Sequence, residues 1–135
     1  MSPQKRLQVG LLGLRLGVFI VMLAWTIDKF VNPTHSSSVY AHFYGISIGH
    51  TPLYILGALE LILLMAFVLG IRRRLSYGLV LILHGVSTLS SWPQYINPFE
   101  GSNLLFFAAW PMLAASAMLY SLRDQDRLLS IRRFG

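Results

Sequence analysis

The sequence predicts an all-α protein, a bundle of four transmembrane helices with both termini cytoplasmic and a short interfacial helix in the first outer loop. Three observations carry this reading. Of 135 residues, 55% are hydrophobic and only 12% charged, against roughly 25% charged in a soluble domain. Four apolar stretches, about residues 9–30, 52–70, 75–91 and 102–121, each lie within or near the ~17 to 25 residues a helix needs to cross the hydrocarbon core. Nine of the eleven Lys and Arg residues fall in three alternate segments: Lys5 and Arg6; Arg72, Arg73 and Arg74; and Arg123, Arg127, Arg132 and Arg133. Basic residues collect on the cytoplasmic side, so these segments are expected inside and the loops 31–51 and 92–101, which hold no Lys or Arg, outside. The formal charge of +6 then reflects topology and attraction to anionic lipid, and gives a nucleic-acid role little support.

One domain is expected over 1–135. Lys5 and Arg6 before an apolar run resemble a secretory signal, but the run is too long and ends in "WTIDKF" with no small-residue cleavage site, so a retained helix is expected. Gly13 and Gly17 form a G-x-x-x-G pair suited to close helix contact. Between the first two spans, "NPTHSSSVYAHFYGISIGHTP" offers caps at Thr34 and Ser36 to Ser38 and an aromatic amphipathic run from Val39 to Tyr44. It should lie at the outer interface, where "WPQYINPFEGSN" (92–103) adds a second aromatic segment, the two forming a lid. In the fourth span Ala114 to Ala117 are small, and Pro111 beside Trp110 is expected to kink the helix.

Polar residues inside the spans are the candidates for function. His84, Ser87, Thr88 and Ser91 recur at i, i+3, i+4 and i+7, with Tyr77 one heptad earlier, and make one continuous stripe. The hydroxyls can also simply bond the carbonyl four residues back. Glu60 and His84 stand ten and nine residues from the turn joining their helices, roughly 14 to 15 Å at about 1.5 Å per residue, and so share a depth. Arg15, about six residues into the first span, is placed to reach up to Glu60. A buried Arg15, Glu60 and His84 cluster is therefore expected, either as a ligand site or as an interhelical lock. Asp28 and Lys29 sit at the outer helix end, and Trp92 and Trp110 complete the secondary candidates. His35, His42 and His50 are spaced by seven and eight, which matches no recognised ligand pattern, so no metal is expected. With no cysteine in the chain, thiol exchange and Cys-ligated clusters are excluded within it.

With "LRLGVFIVMLAWTIDKFVNP", "LGALELILLMAFVLGIRRRLSYGLVLILHG" and "NLLFFAAW" in view, the chain resembles the DoxX-like membrane proteins over most of its length. Members have four transmembrane helices, an Arg early in the first, a Lys-aromatic or Lys-Leu pair at its end, a Gly-x-x-Glu-type position in the second and often a His in the third. Here these fall on Arg15, Lys29 with Phe30, Gly57 with Glu60, and His84. The resemblance implies a bacterial inner-membrane protein, in a family that includes a subunit associated with thiosulfate:quinone oxidoreduction, proteins linked to quinone or oxidative stress, and membrane chaperones.

Two functions follow as expectations. In the first, a small apolar ligand such as a quinone binds beside Glu60 and His84, whose imidazole and carboxyl supply a hydrogen-bond donor and a proton relay. The sequence holds no Rossmann fingerprint, cysteine cluster or pair of intramembrane histidines, so electrons would come from a partner subunit. In the second, the chain is a non-enzymatic assembly or chaperone subunit whose small-residue faces dock a membrane protein or a second copy. Transport ranks third, because four helices show no repeat.

Overall fold

Ser2 begins the first helix as a side-chain cap: its hydroxyl accepts from the Lys5 N–H at 3.2 Å, and Pro3 fills the first helical position, where a missing N–H costs nothing. The resulting helix α1 spans Pro3–Val31, starting earlier than the apolar run alone suggests. The computed structural model describes residues 1–131, and Arg132 and Arg133, counted above with the cytoplasmic charges, lie outside the described residues.

Helix α2, Pro33–Tyr44, opens on Pro33 and stops at Gly45, which takes the left-handed conformation (φ +66°) that a side chain resists. It covers the outer segment as expected but starts at the proline rather than at Val39. Helix α3, His50–Leu69, ends the same way at Gly70 (φ +72°). Helix α4 runs Arg73–Ser90 and α5 Trp92–Ile96. A 3₁₀ helix, Asn103–Ala108, then passes directly into α6, Ala109–Ser121. The expected kink at Pro111 is replaced by this change of helix type: the proline falls in the first turn of α6, where its missing N–H breaks no bond internal to that helix.

Helices α1, α3, α4 and α6 pack in a closed ring, α1 on α3, α3 on α4, α4 on α6 and α6 on α1. Leu11, Val18, Leu64, Phe67, Tyr77, Val80 and Leu119 fill the centre. Large apolar side chains also cover the outside, among them Ile20, Ile62, Leu75, Ile82, Leu89 and Leu105. A helix apolar on every side belongs in lipid, and three stretches are long and apolar enough to cross a bilayer: Pro3–Val31, His50–Leu69 and Asn103–Ser121. The chain is a multi-pass membrane protein in contact with the bilayer. Gly13 and Gly17 do not fulfil the expected helix contact within the chain. Both lie on the exposed side of α1, and a Cβ on either would meet nothing within 4 Å.

The start of α1 and the segment after α6 meet at one end of the bundle, where Gln4 Nε2 donates to Gln125 Oε1 at 2.9 Å. This terminal end also holds the α3–α4 turn. At the opposite end α2 lies across the ring as a lid: His35 and Ser36 reach Asp28 of α1, Tyr44 reaches Ser87 of α4, and Phe43 packs on Phe106 of the 3₁₀ helix.

Candidate functional site

The expected Arg15, Glu60 and His84 cluster does not form; each residue is satisfied in a different place. Arg15 is fully buried at the terminal end. Its Nη1 lies 3.3 Å from Asp126 Oδ2 and donates to the Tyr77 hydroxyl at 3.3 Å, and its Nη2 donates to the carbonyls of Leu128 and Leu129. The Tyr77 hydroxyl in turn donates to Asp126 Oδ2 at 2.6 Å. Two residues from distant parts of the chain, Arg15 and Tyr77, thus close on one carboxylate. The segment after α6 is tied down there, with the Ile131 N–H bonding the Leu69 carbonyl at 2.7 Å and Ser130 packed where a Cβ on Gly70 would stand. The longer α1 explains the miss: Arg15 lies at the level of the α3–α4 turn, with its Nη1 3.6 Å from the Cβ position of Gly70, and not at the depth of Glu60. Asp126, inside "RDQDR", reads as a solvated tail residue. Its signal was the need of a buried arginine for an acid at its own end of the bundle.

Glu60 pairs with Lys29. Glu60 Oε2 accepts from Lys29 Nζ at 3.0 Å and lies 3.0 Å from the Thr26 hydroxyl, whose single hydrogen is shared between Glu60 and the Met22 carbonyl at 2.8 Å. Lys29 and Thr26 are buried and Glu60 half-buried. Local sequence explains the contact. Gly57 stands one turn before Glu60, and a Cβ there would lie 2.7 Å from Phe30 Cζ and 3.5 Å from Lys29 Cβ, so its absence lets the end of α1 close on α3. The G-x-x-E spacing and the Lys-Phe pair are two halves of one joint. From above, Lys29 Nζ sits 5.7 Å from the centre of the Tyr40 ring, a cation-π contact delivered by α2. Burial, with the Glu60 charge behind it, pushes the Tyr40 hydroxyl up to about 12, so it stays a neutral donor. Tyr40 meets Tyr44 edge-on at 5.3 Å, and the Tyr44 hydroxyl is 2.9 Å from Ser87 Oγ. A chain of ion-pair, cation-π, aromatic and hydroxyl contacts therefore runs under the lid from Glu60 to α4.

The α4 stripe divides. Thr88, Ser90 and Ser91 donate to the carbonyls of His84, Val86 and Ser87, four residues back in each case. Tyr95 of α5 adds a bond to the Thr88 carbonyl at 2.8 Å. His84 turns away from Glu60, because α4 sits between α3 and α6 and the imidazole faces α6: Nε2 lies 3.0 Å from the Ala109 carbonyl oxygen. A carbonyl only accepts, so Nε2 carries the hydrogen and Nδ1 of the neutral ring is an acceptor. Equal depth was not sufficient, since the side chains point to different neighbours.

Asp28 accepts from Ser36 at 2.8 Å and pairs with His35 Nδ1 at 2.6 Å, holding α2 to α1. His42 packs on Phe43 and His50 on Tyr54. Trp92 and Trp110 are mostly outward, 61% and 44% exposed, and Trp110 packs on Tyr95; neither touches the Lys29–Glu60 pair.

Compared with known proteins, the chain matches no protein-family model, no curated protein and no solved structure.

Proposed function

We propose that this chain is a DoxX-like protein of the bacterial inner membrane that binds a quinone-type headgroup at the Lys29–Glu60 pair beneath α2. The observation that carries the reading is unspent hydrogen-bonding capacity at a partly accessible charge pair beneath α2. Lys29 uses one of its three donors on Glu60; Glu60 Oε1 and the Tyr40 hydroxyl make no hydrogen bond among the described residues. A ligand carbonyl takes an ammonium or phenol proton, Glu60 accepts or returns a proton, and the ring packs against Tyr40. Electrons for any redox cycle come from a partner subunit.

The same reading makes α4 the fourth membrane span. At 18 residues it is about 27 Å long, and Leu75, Leu79, Ile82, Leu83, Val86 and Leu89 face outward from the bundle. The terminal end, with Lys5, Arg6, Arg72 to Arg74, Arg123 and Arg127, is then cytoplasmic and the α2 lid outside.

Titration of the detergent-solubilised protein with a short-tailed ubiquinone analogue tests the site. The wild-type melting temperature should rise with ligand concentration, while Lys29→Gln and Tyr40→Phe each weaken binding by about tenfold or more, the loss of one buried hydrogen bond to a charged or phenolic donor. A wild type that no quinone stabilises contradicts the proposal. The competing reading, an assembly subunit, is favoured by the open Gly10, Gly13 and Gly17 side of α1, where a Cβ meets nothing within 4 Å.

A further inference from the structure

A groove of about 530 Å³ opens between α4 and α6 at the terminal end, remote from the Lys29–Glu60 pair, lined by Leu75, Gly78, Leu79, Ile82 and Tyr120 with Arg72 and Arg74 at its mouth. The wall is apolar and faces outward: Leu75 is 61% and Ile82 60% exposed. Gly78 gives the groove its floor, since a Cβ there would already stand 3.3 Å from Tyr120 Cε2. Tyr120, on the opposite wall, is itself held by Arg123, whose guanidinium lies 4.5 Å over the ring and donates to the Tyr120 carbonyl at 2.7 Å. Among the described residues neither Arg72 nor Arg74 has an acidic partner. Of the two acids nearby, Asp126 is taken by Arg15, and Asp124 is exposed beyond α6. Arg72 is also held in the left-handed conformation (φ 49°, ψ 54°), which a residue with a side chain resists. The turn thus keeps two arginines, one residue apart, at the upper edge of an apolar channel.

We infer that this groove is a binding site for an anionic glycerophospholipid. The phosphodiester bridges the Arg72 and Arg74 guanidinium groups, whose planar forks match phosphate oxygens, and one acyl chain lies along Leu75, Leu79 and Ile82 against Tyr120. The chemistry favours this occupant over others. A zwitterionic lipid brings a cation to a mouth already crowded with them, and an uncharged apolar tail uses the channel but not the arginines. Basic pockets between membrane helices on the cytoplasmic side take such headgroups.

The test is native mass spectrometry of the full chain in detergent, titrated with phosphatidylglycerol or phosphatidylcholine of the same acyl chains. The wild type should bind one phosphatidylglycerol about thirtyfold more tightly than phosphatidylcholine, taking roughly fivefold for each of two arginines near the headgroup. Arg72→Gln with Arg74→Gln should erase that preference, and Leu79→Trp, which fills the channel and leaves both charges, should weaken both lipids. Equal binding of the two lipids by the wild type overturns the site. So does a preference that survives the double variant, or one that Leu79→Trp leaves at full affinity, which is attraction to a basic surface rather than occupancy of a groove. If the double variant does not fold, the wild-type ratio and Leu79→Trp decide the matter.

Discussion

The two ends of the bundle solve the same problem, a basic side chain of α1 inside a membrane protein, in opposite ways. At the terminal end both partners, Arg15 and Asp126, have no exposed side-chain surface; at the lid end Lys29 keeps 8% and Glu60 20%. Arg15 is enclosed by Tyr77 and by backbone carbonyls of a segment folded over it, so nothing reaches it without unfolding that segment. Lys29 is roofed only by an aromatic ring on a short helix, and both it and Glu60 keep some exposed surface, whereas the two unpartnered atoms of the other pair, Arg15 Nε and Asp126 Oδ1, are shut away from solvent. A buried charge pair that is sealed acts as a lock. One that stays partly accessible beneath a short helix is a place where a ligand can be held.

The contrast can be broken most violently at the lock. Asp126→Ala strands a fully buried guanidinium, and the loss expected for such a half-broken pair is about 3–5 kcal/mol, read as thermal unfolding in detergent. Combining it with Arg15→Met should recover most of that loss. A small effect of Asp126→Ala would mean that the last segment does not close the bundle. At the lid end the corresponding loss is smaller. Glu60→Ala should cost about 1–3 kcal/mol by leaving Lys29 without its acceptor, and Glu60→Gln less, because the amide oxygen still accepts from it. Equal losses in the two variants would remove Glu60 from the joint.

His84 sharpens the comparison from the side. It belongs to neither pair, so His84→Phe forfeits one hydrogen bond to the Ala109 carbonyl, about 0.5–1.5 kcal/mol, and leaves quinone binding intact. Abolished binding with retained stability would return His84 to the site. The smallest effect is spectroscopic. The Tyr40 hydroxyl is raised from 10.0 to about 12 by burial and then by Glu60. Its contribution to stability is therefore complete below the unfolded value near 10 and lost as pH climbs through about 12. The phenolate absorbance of wild type minus Tyr40→Phe should show a titration near 12; one near 10 would mean that the ring is not roofed over Lys29.

The elements were largely legible in the sequence because bilayer thickness fixes span length and apolar runs mark it. The four helices of the ring fall on the four apolar stretches, three of them long and apolar enough to cross a bilayer, and α2 falls on the first outer segment, while the stops at Gly45 and Gly70 come from the structure. Boundaries were less legible. The polar start of α1 carries no apolar signal, only the Ser2–Pro3 cap, and that error displaced Arg15 by two turns relative to its neighbours. The sites were half legible. Glu60, Lys29 and Asp28 were marked by charge in an apolar setting, and Tyr77 by its place on the α4 stripe, but pairing depends on the direction each side chain takes around its helix, which spacing along one chain does not contain. Tyr40 looked like any interfacial aromatic. Asp126 and the Arg72–Arg74 groove were hidden among charges that serve topology.

Hydrogen exchange with and without quinone, followed by mass spectrometry on the whole chain in detergent, tests the division of the molecule into a lock and a site most directly. Saturating a short-tailed ubiquinone analogue should slow exchange in α2, residues 33–44, and at the α1 end around Thr26 to Lys29, while residues 122–131 exchange at the same rate with and without it. Slowing confined to 122–131, with α2 unchanged, would place the ligand at the Arg15 end and contradict the assignment of the Lys29–Glu60 pair as the binding site.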